Sequence, residues 1–381
     1  MQPVRHTMSR FLARRAFQRT FATPALQKGA TPPAPAVPVQ IQGRPFLPCN
    51  ENPNLPKVLS GAKDGFPAVY EPHVSPTEQF TVQEWADACR AVMDAELHKC
   101  GAILFRGLPI SNPEEFGVWM RGLGWRTMGE KEALKCMFAR SMSSKNVNSM
   151  VRTASDDPAE YTIEPHSEYH TVGFPAKIFL WCEQPAEQGG EWPCTDIRAV
   201  YSNLRPEVVE KFERLGVNYQ VHYPCRANAH YNNWEDNISP DKEFVETYLA
   251  DQGYQWKWGG DNSLTYWQVF PATKPHPKTG EKSWFNQIHA QHMTFYTHHP
   301  LFVNKPRDDK EGWPVDCCYG DGTPIPIEII DHVRETVWKH TYAVPTNPGD
   351  MLVFDNYLAM HGRMGFSPAG SRKVYASVSY E

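Results

Sequence analysis

The chain has 381 residues, 41% of them hydrophobic and 12% aromatic, with a formal net charge of −5. That composition belongs to a globular protein with a sizeable core and excludes a disordered one. No run approaches the ~18 apolar residues of a membrane span, and an acidic surface repels phosphate backbones, so neither a spanning segment nor a nucleic-acid partner is expected.

The first 50 residues hold no Asp or Glu, yet carry Arg5, Arg10, Arg14, Arg15, Arg19, Lys28 and Arg44. On a helix Met8, Leu12 and Ala16 align, as do Ala13, Phe17 and Phe21. An acid-free, arginine-rich amphipathic start has the character of a mitochondrial transit peptide, and Arg19-Thr20-Phe21 before Ala22-Thr23 resembles a processing site. Residues 1–21 are therefore expected to be an import signal, with a basic tail on a cytoplasmic protein as the alternative. Cleavage there removes five arginines and no acid, which takes the formal charge from −5 to −10. Residues 22–43, containing Thr-Pro-Pro-Ala-Pro-Ala-Val-Pro from Thr31 to Pro38, read as an extended linker. Residues 44–381 then form one domain. The nine cysteines are scattered and odd in number, with no Cys-x-x-Cys pair, which argues for a reducing compartment rather than a disulfide framework or a zinc module.

Thr81-Val82-Gln83-Glu84 has the form of a capping box opening a helix to about Lys99, and Gly101 stops it. Ala102-Ile103-Leu104-Phe105 reads as a buried strand, and Ser111 as the cap of a second helix. Strand-like runs follow at Ala176–Cys182, Val217–Tyr223, Thr265–Phe270, Met351–Phe354 and Val374–Ser379. Helical patterns cover Arg198–Leu215, Asp241–Asp251 and Glu328–His340. Many short strands with few helices predict a mainly β fold with flanking helices, and a double-stranded β-helix, or jelly roll, fits this order. The segment 226–262 is polar and aromatic, with Tyr231, Trp234, Tyr254, Trp256 and Trp258. It reads either as a lid that excludes water or as an excursion packed against the body.

Chemistry concentrates at His166 and Glu168. Residues i and i+2 of a strand project to one face, so this pair can grip one ion together with a distant histidine, and His361 is the candidate. Two imidazoles and a carboxylate on one face of an octahedral ion leave three positions open, the donor set of non-haem Fe(II) oxygenases. Arg372 lies eleven residues past His361, a spacing that suits a hairpin returning to the site. Its planar cation can hold a carboxylate in bidentate fashion. Arg152 and Arg363 can each hold a substrate carboxylate, although strand arginines are commonly pinned by acids. His170, His289, His292, His298 and His299 read as core or surface histidines.

Together these stretches resemble the taurine dioxygenase-like (TauD/TfdA) family of Fe(II)/2-oxoglutarate oxygenases. The resemblance is carried, in the family's order, by Phe105-Arg106-Gly107, Glu164-Pro165-His166-Ser167-Glu168-Tyr169-His170, and Gly189-Gly190-Glu191 leading to Asp196. It continues through His276–Glu281 to Trp284-Phe285-Asn286, and from Gly349-Asp350 through Asp355-Asn356 and His361-Gly362-Arg363 to Arg372. It implies a jelly-roll core, His166, Glu168 and His361 as iron ligands, Arg372 on the distal carboxylate of 2-oxoglutarate, and O2 as oxidant.

Two positions depart from the family's pattern. Where many members place a Thr that hydrogen-bonds 2-oxoglutarate, this chain has Trp192, which either lines the site or packs outside it after a local shift. Where taurine dioxygenase carries a second Arg for the sulfonate, this chain has Ala376, so taurine is not transferred as substrate. The retained Glu168 favours hydroxylation or related oxidation over halogenation, because family halogenases vacate that position for chloride. The expected function is oxidation of a small amino-acid or carboxylic-acid substrate with release of succinate and CO2, and homo-oligomerisation stays open. One rival is a jelly-roll pseudo-oxygenase blocked by Trp192. The other is a zinc hydrolase using His166, Glu168 and His170, although the His-Glu-x-x-His motif needs a helix and this segment starts with Pro165.

Overall fold

The computed structural model describes residues 23–29, 37–38, 56–61, 65–128, 146–155, 157–168, 173–229, 231–298, 302, 305 and 312–380. The proposed import signal lies outside them. Antiparallel pairing dominates. A seven-stranded sheet runs in the order Leu26–Lys28, Ala68–Pro72, Ala102–Phe105, Met351–Asp355, Lys177–Gln184, Lys373–Ser379, Arg152–Thr153. A four-stranded sheet faces it, ordered Thr341–Val344, Trp192–Asp196, Ala359–Arg363, Ile163–His166.

Alternation along the strands explains why the central ones are apolar throughout. Ala102 and Leu104 point between the two sheets, with Ile178, Leu180, Leu352, Phe354, Val374 and Val378. Their neighbours Ile103 and Phe105 point the other way, onto two helices, with Phe179, Trp181, Met351 and Val353. Those helices, Val82–Cys100 and Pro113–Gly122, bury Trp85, Cys89, Met93 and Leu97 from the first and Phe116, Trp119 and Met120 from the second. The capping box forms as the sequence suggests: Glu84 N–H donates to Thr81 Oγ1 at 3.3 Å, and Thr81 N–H donates to Glu84 Oε2 at 2.6 Å. Gly101 closes the helix at φ 77°, a conformation that favours glycine.

The structure corrects three of these readings. The second helix is capped by Asn112, whose Oδ1 accepts from Glu115 N–H at 2.8 Å, while Ser111 serves it from outside through the Glu115 carboxylate. The pattern over 198–215 is two helices, Ile197–Asn203 and Pro206–Leu215, because the ring of Pro206 forces Arg205 out of helical geometry. The segment read as a linker contributes an edge strand: Leu26, Gln27 and Lys28 pair with Pro72, Glu71 and Tyr70, supplying hydrogen bonds that the sheet edge would otherwise lack.

A third sheet, ordered Gln255–Trp258, Leu264–Phe270, Val217–Tyr223, Val315–Tyr319, lies beyond the four-stranded one. With the helix Ile327–Lys339 it forms the largest apolar cluster, which also takes in Tyr161, Ala343 and Met360. The aromatic residues of 226–262 are spent here. Trp234 is buried, Tyr231, Tyr254, Trp256 and Trp258 pack onto the same cluster, and Trp234 and Trp258 meet edge to face at 4.9 Å.

Candidate metal centre

His166 ends the strand Ile163–His166, and His361 sits in the strand beside it as its register partner. The pairing shifts between His361 and Arg363, and Gly362 lies in that irregularity. A Cβ on Gly362 would stand 2.7 Å from Ile163 O, so only glycine allows the two strands this approach. Glu168 follows two residues after His166. One donor atom from each of His166, Glu168 and His361 lies within 4.8 Å of the others. His361 Nε2 is 3.4 Å, and His166 Nε2 3.9 Å, from Glu168 Oε2.

The local chemistry points those atoms at one spot. His166 Nδ1 is 2.8 Å from the Glu164 carbonyl, which can only accept, so Nδ1 carries the proton and the Nε2 lone pair turns toward Glu168. Asn356, fully buried, holds the backbone at Glu168: its Oδ1 accepts from Glu168 N–H at 2.8 Å, and its amide donates to Glu168 O at 2.7 Å and Pro175 O at 2.8 Å. The ring of Phe354 lies 5.5 Å from that of His361 and walls the inner side. Two imidazoles and a carboxylate that converge in this way suit a divalent transition metal.

Below this point the backbone of 164–167 is gripped from outside the two sheets. His289 Nε2 bonds to Pro165 O at 2.8 Å, and Gln287 Nε2 donates to Ser167 O. Burial, aided by the Arg334 charge, pushes the His289 imidazole down to about 3, so the ring is neutral and its Nε2–H donates. Arg334 bonds both oxygens of Glu164, at 3.0 and 3.1 Å, and Trp338 Nε1 donates to Glu164 Oε2 at 2.8 Å. Sequence reasoning placed His289 in the core and passed over Gln287, Arg334, Trp338 and the role of Asn356. Only the pairing of Asn356 with Asp355 in the motif pointed at them.

Arg372 stands just before the last strand, beside Cys182 and Phe366. Its guanidinium carbon is 5.7 Å from the Phe366 ring centre, and that of Arg363 is 5.2 Å from the same ring. A Cβ on Gly190, at φ 73°, would be 3.1 Å from Arg372 Cδ, so the glycine makes room for this side chain. Arg372 Nε is shielded from water without a partner, and among the described residues no acid pairs with the guanidinium. Burial, reinforced by the Arg363 charge, pushes Arg372 down to about 9. A buried cation in this state fits an anionic ligand, because an incoming carboxylate supplies the missing acceptors.

The remaining sequence candidates take separate places. Arg363 is buried and committed to backbone: its NH1 donates to Asp157 O at 3.2 Å, and its NH2 to Pro158 O at 2.7 Å and Tyr161 O at 2.8 Å. Those carbonyls take donors from both terminal nitrogens, while Nε is buried without a partner. Trp192 is fully buried between the sheets, on the face that carries Cys194 and His361, and its indole N–H has no acceptor. It therefore packs inward rather than outside. Thr195 takes the opposite face and meets Thr341 at 2.7 Å. Arg152, half-buried on the edge strand, is the cross-strand partner of Ala376 and shares its inward face. His170 lies outside the described residues.

Two strand-borne imidazoles converging with a carboxylate, and a buried arginine without an acid partner among the described residues, are what a metal-dependent enzyme with an acidic co-substrate requires. A family model described as "Taurine catabolism dioxygenase TauD, TfdA family" matches residues 69–377, and the chain belongs to that family. It is an Fe(II)- and 2-oxoglutarate-dependent dioxygenase that uses O2. The chain is 31% identical over 288 residues to the dapdiamide synthesis protein DdaC of Enterobacter agglomerans, covering 74% of this chain and 83% of that protein. It is 28% identical over 298 residues to a clavaminate synthase-like protein of Arabidopsis thaliana, covering 75% and 83%. Among solved structures it is similar to the PvcB protein from Pseudomonas aeruginosa at a TM-score of 0.48 and 12% identity, covering 84% of this chain and 90% of that one, a likeness too distant to carry an argument. Among the described residues no helix is long and apolar enough to cross a membrane.

Proposed function

We propose that the enzyme hydroxylates a small amino-acid or carboxylic-acid substrate, with iron held by His166, Glu168 and His361 and the distal carboxylate of 2-oxoglutarate held by Arg372. The observation that carries this reading is the convergence of the three donors. Iron and 2-oxoglutarate, when bound, supply the oxidising power drawn from O2 that breaks a C–H bond, with succinate and CO2 as co-products.

The protein's own part is placement. His166 keeps its Nδ1 proton on the Glu164 carbonyl and presents Nε2 to the metal. Glu168 fills the third protein position, and its retention supports hydroxylation over halogen transfer. Arg372 fixes one end of the dicarboxylate, and the ring of Phe354, packed against that of His361, helps keep water from the metal end. The strand order supports a jelly roll. From Arg152–Thr153 onward the strands Ile163–His166, Lys177–Gln184 and Trp192–Asp196 fall alternately in the four- and seven-stranded sheets, as do Thr341–Val344, Met351–Asp355, Ala359–Arg363 and Lys373–Ser379. Arg152, facing inward beside Ala376, is our candidate for a substrate anion. DdaC, a dapdiamide synthesis protein, and pentalenolactone F synthase from Streptomyces arenae, a further relative 23% identical over 221 residues, are named for small-molecule synthesis, which supports a small-molecule substrate. Mitochondrial import through residues 1–21 is part of the same proposal and is tested by locating the full-length chain with and without them.

The site proposal is tested by adding Fe(II) and 2-oxoglutarate to the purified protein without oxygen, then screening amino and carboxylic acids for substrate-triggered succinate release. A visible charge-transfer band that vanishes in His361→Ala is expected. A wild-type protein that gives no band overturns the proposal.

A further inference from the structure

We propose that Arg334, Glu164 and Trp338 are positioning residues of the metal centre, through which the helix Ile327–Lys339 sets the orientation of His166. This rests on the reading of His166 as an iron ligand. Glu164 does two jobs at once. Its carbonyl accepts the Nδ1 proton of His166 at 2.8 Å, and its carboxylate is locked by Arg334 at 3.0 and 3.1 Å and by Trp338 at 2.8 Å. The carbonyl and the carboxylate belong to one residue of a four-residue strand, so fixing the side chain fixes the carbonyl that aims the imidazole.

Energetics argue that the pair is kept for more than stability. Glu164 and Arg334 are 0% and 1% exposed. A buried ion pair of this kind is commonly matched or exceeded in stability by apolar residues of similar volume, whereas it fixes geometry in a way apolar residues do not. The rest of the grip is built to the same end. Arg334 NH2 also donates to His289 O at 2.7 Å, and His289 in turn holds Pro165 O at 2.8 Å. Consecutive backbone positions before Glu168 are thus tied to one arginine that lies outside both sheets of the core.

The test measures Fe(II) affinity anaerobically at saturating 2-oxoglutarate for wild type, Arg334→Met, Trp338→Phe and Phe212→Leu. Phe212 lies in the same apolar cluster, packed on the rings of Trp284 and Tyr319, so its variant matches a loss of stability alone. Outer-shell partners of metal-bound histidines typically govern affinity by 10–100-fold, and roughly that loss is expected in Arg334→Met. Trp338→Phe keeps an aromatic ring, deletes one hydrogen bond and leaves a small cavity, so a loss of roughly 3- to 10-fold in affinity is expected with a fall in melting temperature no larger than that of Phe212→Leu. Phe212→Leu should melt earlier and bind Fe(II) as wild type does. The inference is overturned if folded Trp338→Phe binds Fe(II) with wild-type affinity and Arg334→Met, where it folds, behaves like Phe212→Leu. Should Arg334→Met fail to fold, Trp338→Phe decides alone. A wild-type protein without the band defeats the iron-site reading itself, a different outcome from wild-type binding that the variants share.

Discussion

His361 stands directly opposite His166 across two antiparallel strands, their ring centres 4.6 Å apart. Residues 195 positions apart in sequence become neighbours only through that strand register, and a slip of one residue would turn one ring to the far face. The site is therefore as secure as the pairing, and the pairing depends on Gly362 and on the Asn356 clamp at Glu168.

Asn356 is the first residue to test. Asn356→Ala removes an acceptor from Glu168 N–H and two donors from buried carbonyls, at a cost of about 2–4 kcal/mol if two groups are left unsatisfied. We expect a lower melting temperature together with weaker Fe(II) binding, measured by calorimetry and by anaerobic titration. Stability loss with unchanged affinity would remove Asn356 from the site.

Arg372 should set the affinity for 2-oxoglutarate. A charge-assisted hydrogen bond contributes about 1.5–3 kcal/mol, so Arg372→Met should raise the 2-oxoglutarate concentration at half-saturation roughly 10- to 150-fold. Gly190→Ala should act in the same direction, since its methyl group would press on Arg372 Cδ and on Ala186. Band intensity against 2-oxoglutarate concentration measures both.

Trp192 separates packing from ligand contact. Its indole N–H makes no hydrogen bond, so Trp192→Phe should cost only the packing of the lost ring atoms, on the order of 1–2 kcal/mol, and leave 2-oxoglutarate affinity unaltered. Trp192→Thr empties a fully buried site and should cost about 3–5 kcal/mol, read as a fall in melting temperature. A Phe variant that loses 2-oxoglutarate binding would make the indole a ligand contact.

Acid stability should report on His292. Burial, followed by the Arg334 charge, lowers it from 6.5 to about 4, so between those values the unfolded chain binds a proton that the native protein does not. Stability from this group is full above 6.5 and is lost as pH falls toward 4, with a slope of about 1.4 kcal/mol per pH unit within that window. His292→Gln should flatten the slope of melting temperature against pH there by one proton.

Much of this protein was legible in its sequence, because local rules act on neighbouring residues. The Thr81 capping box, the Gly101 stop and the apolar run Ala102–Phe105 stand where the sequence put them. His166 and Glu168 were readable as a pair from their spacing, although the strand ends at His166 and Glu168 reaches the same spot from the bend beyond it. Pro206 could have warned that one predicted helix was two. Long-range facts were beyond this reach. Nothing local says that Arg334 would cross 170 residues to meet Glu164, that Arg363 would be spent on carbonyls, or that Trp192 would turn inward. These depend on which strands pair, in which register, and on what then covers the buried polar groups. Residue types and short spacings determined the chemistry on offer, and tertiary packing decided which donors find partners and which, like Arg372 Nε, are buried without one.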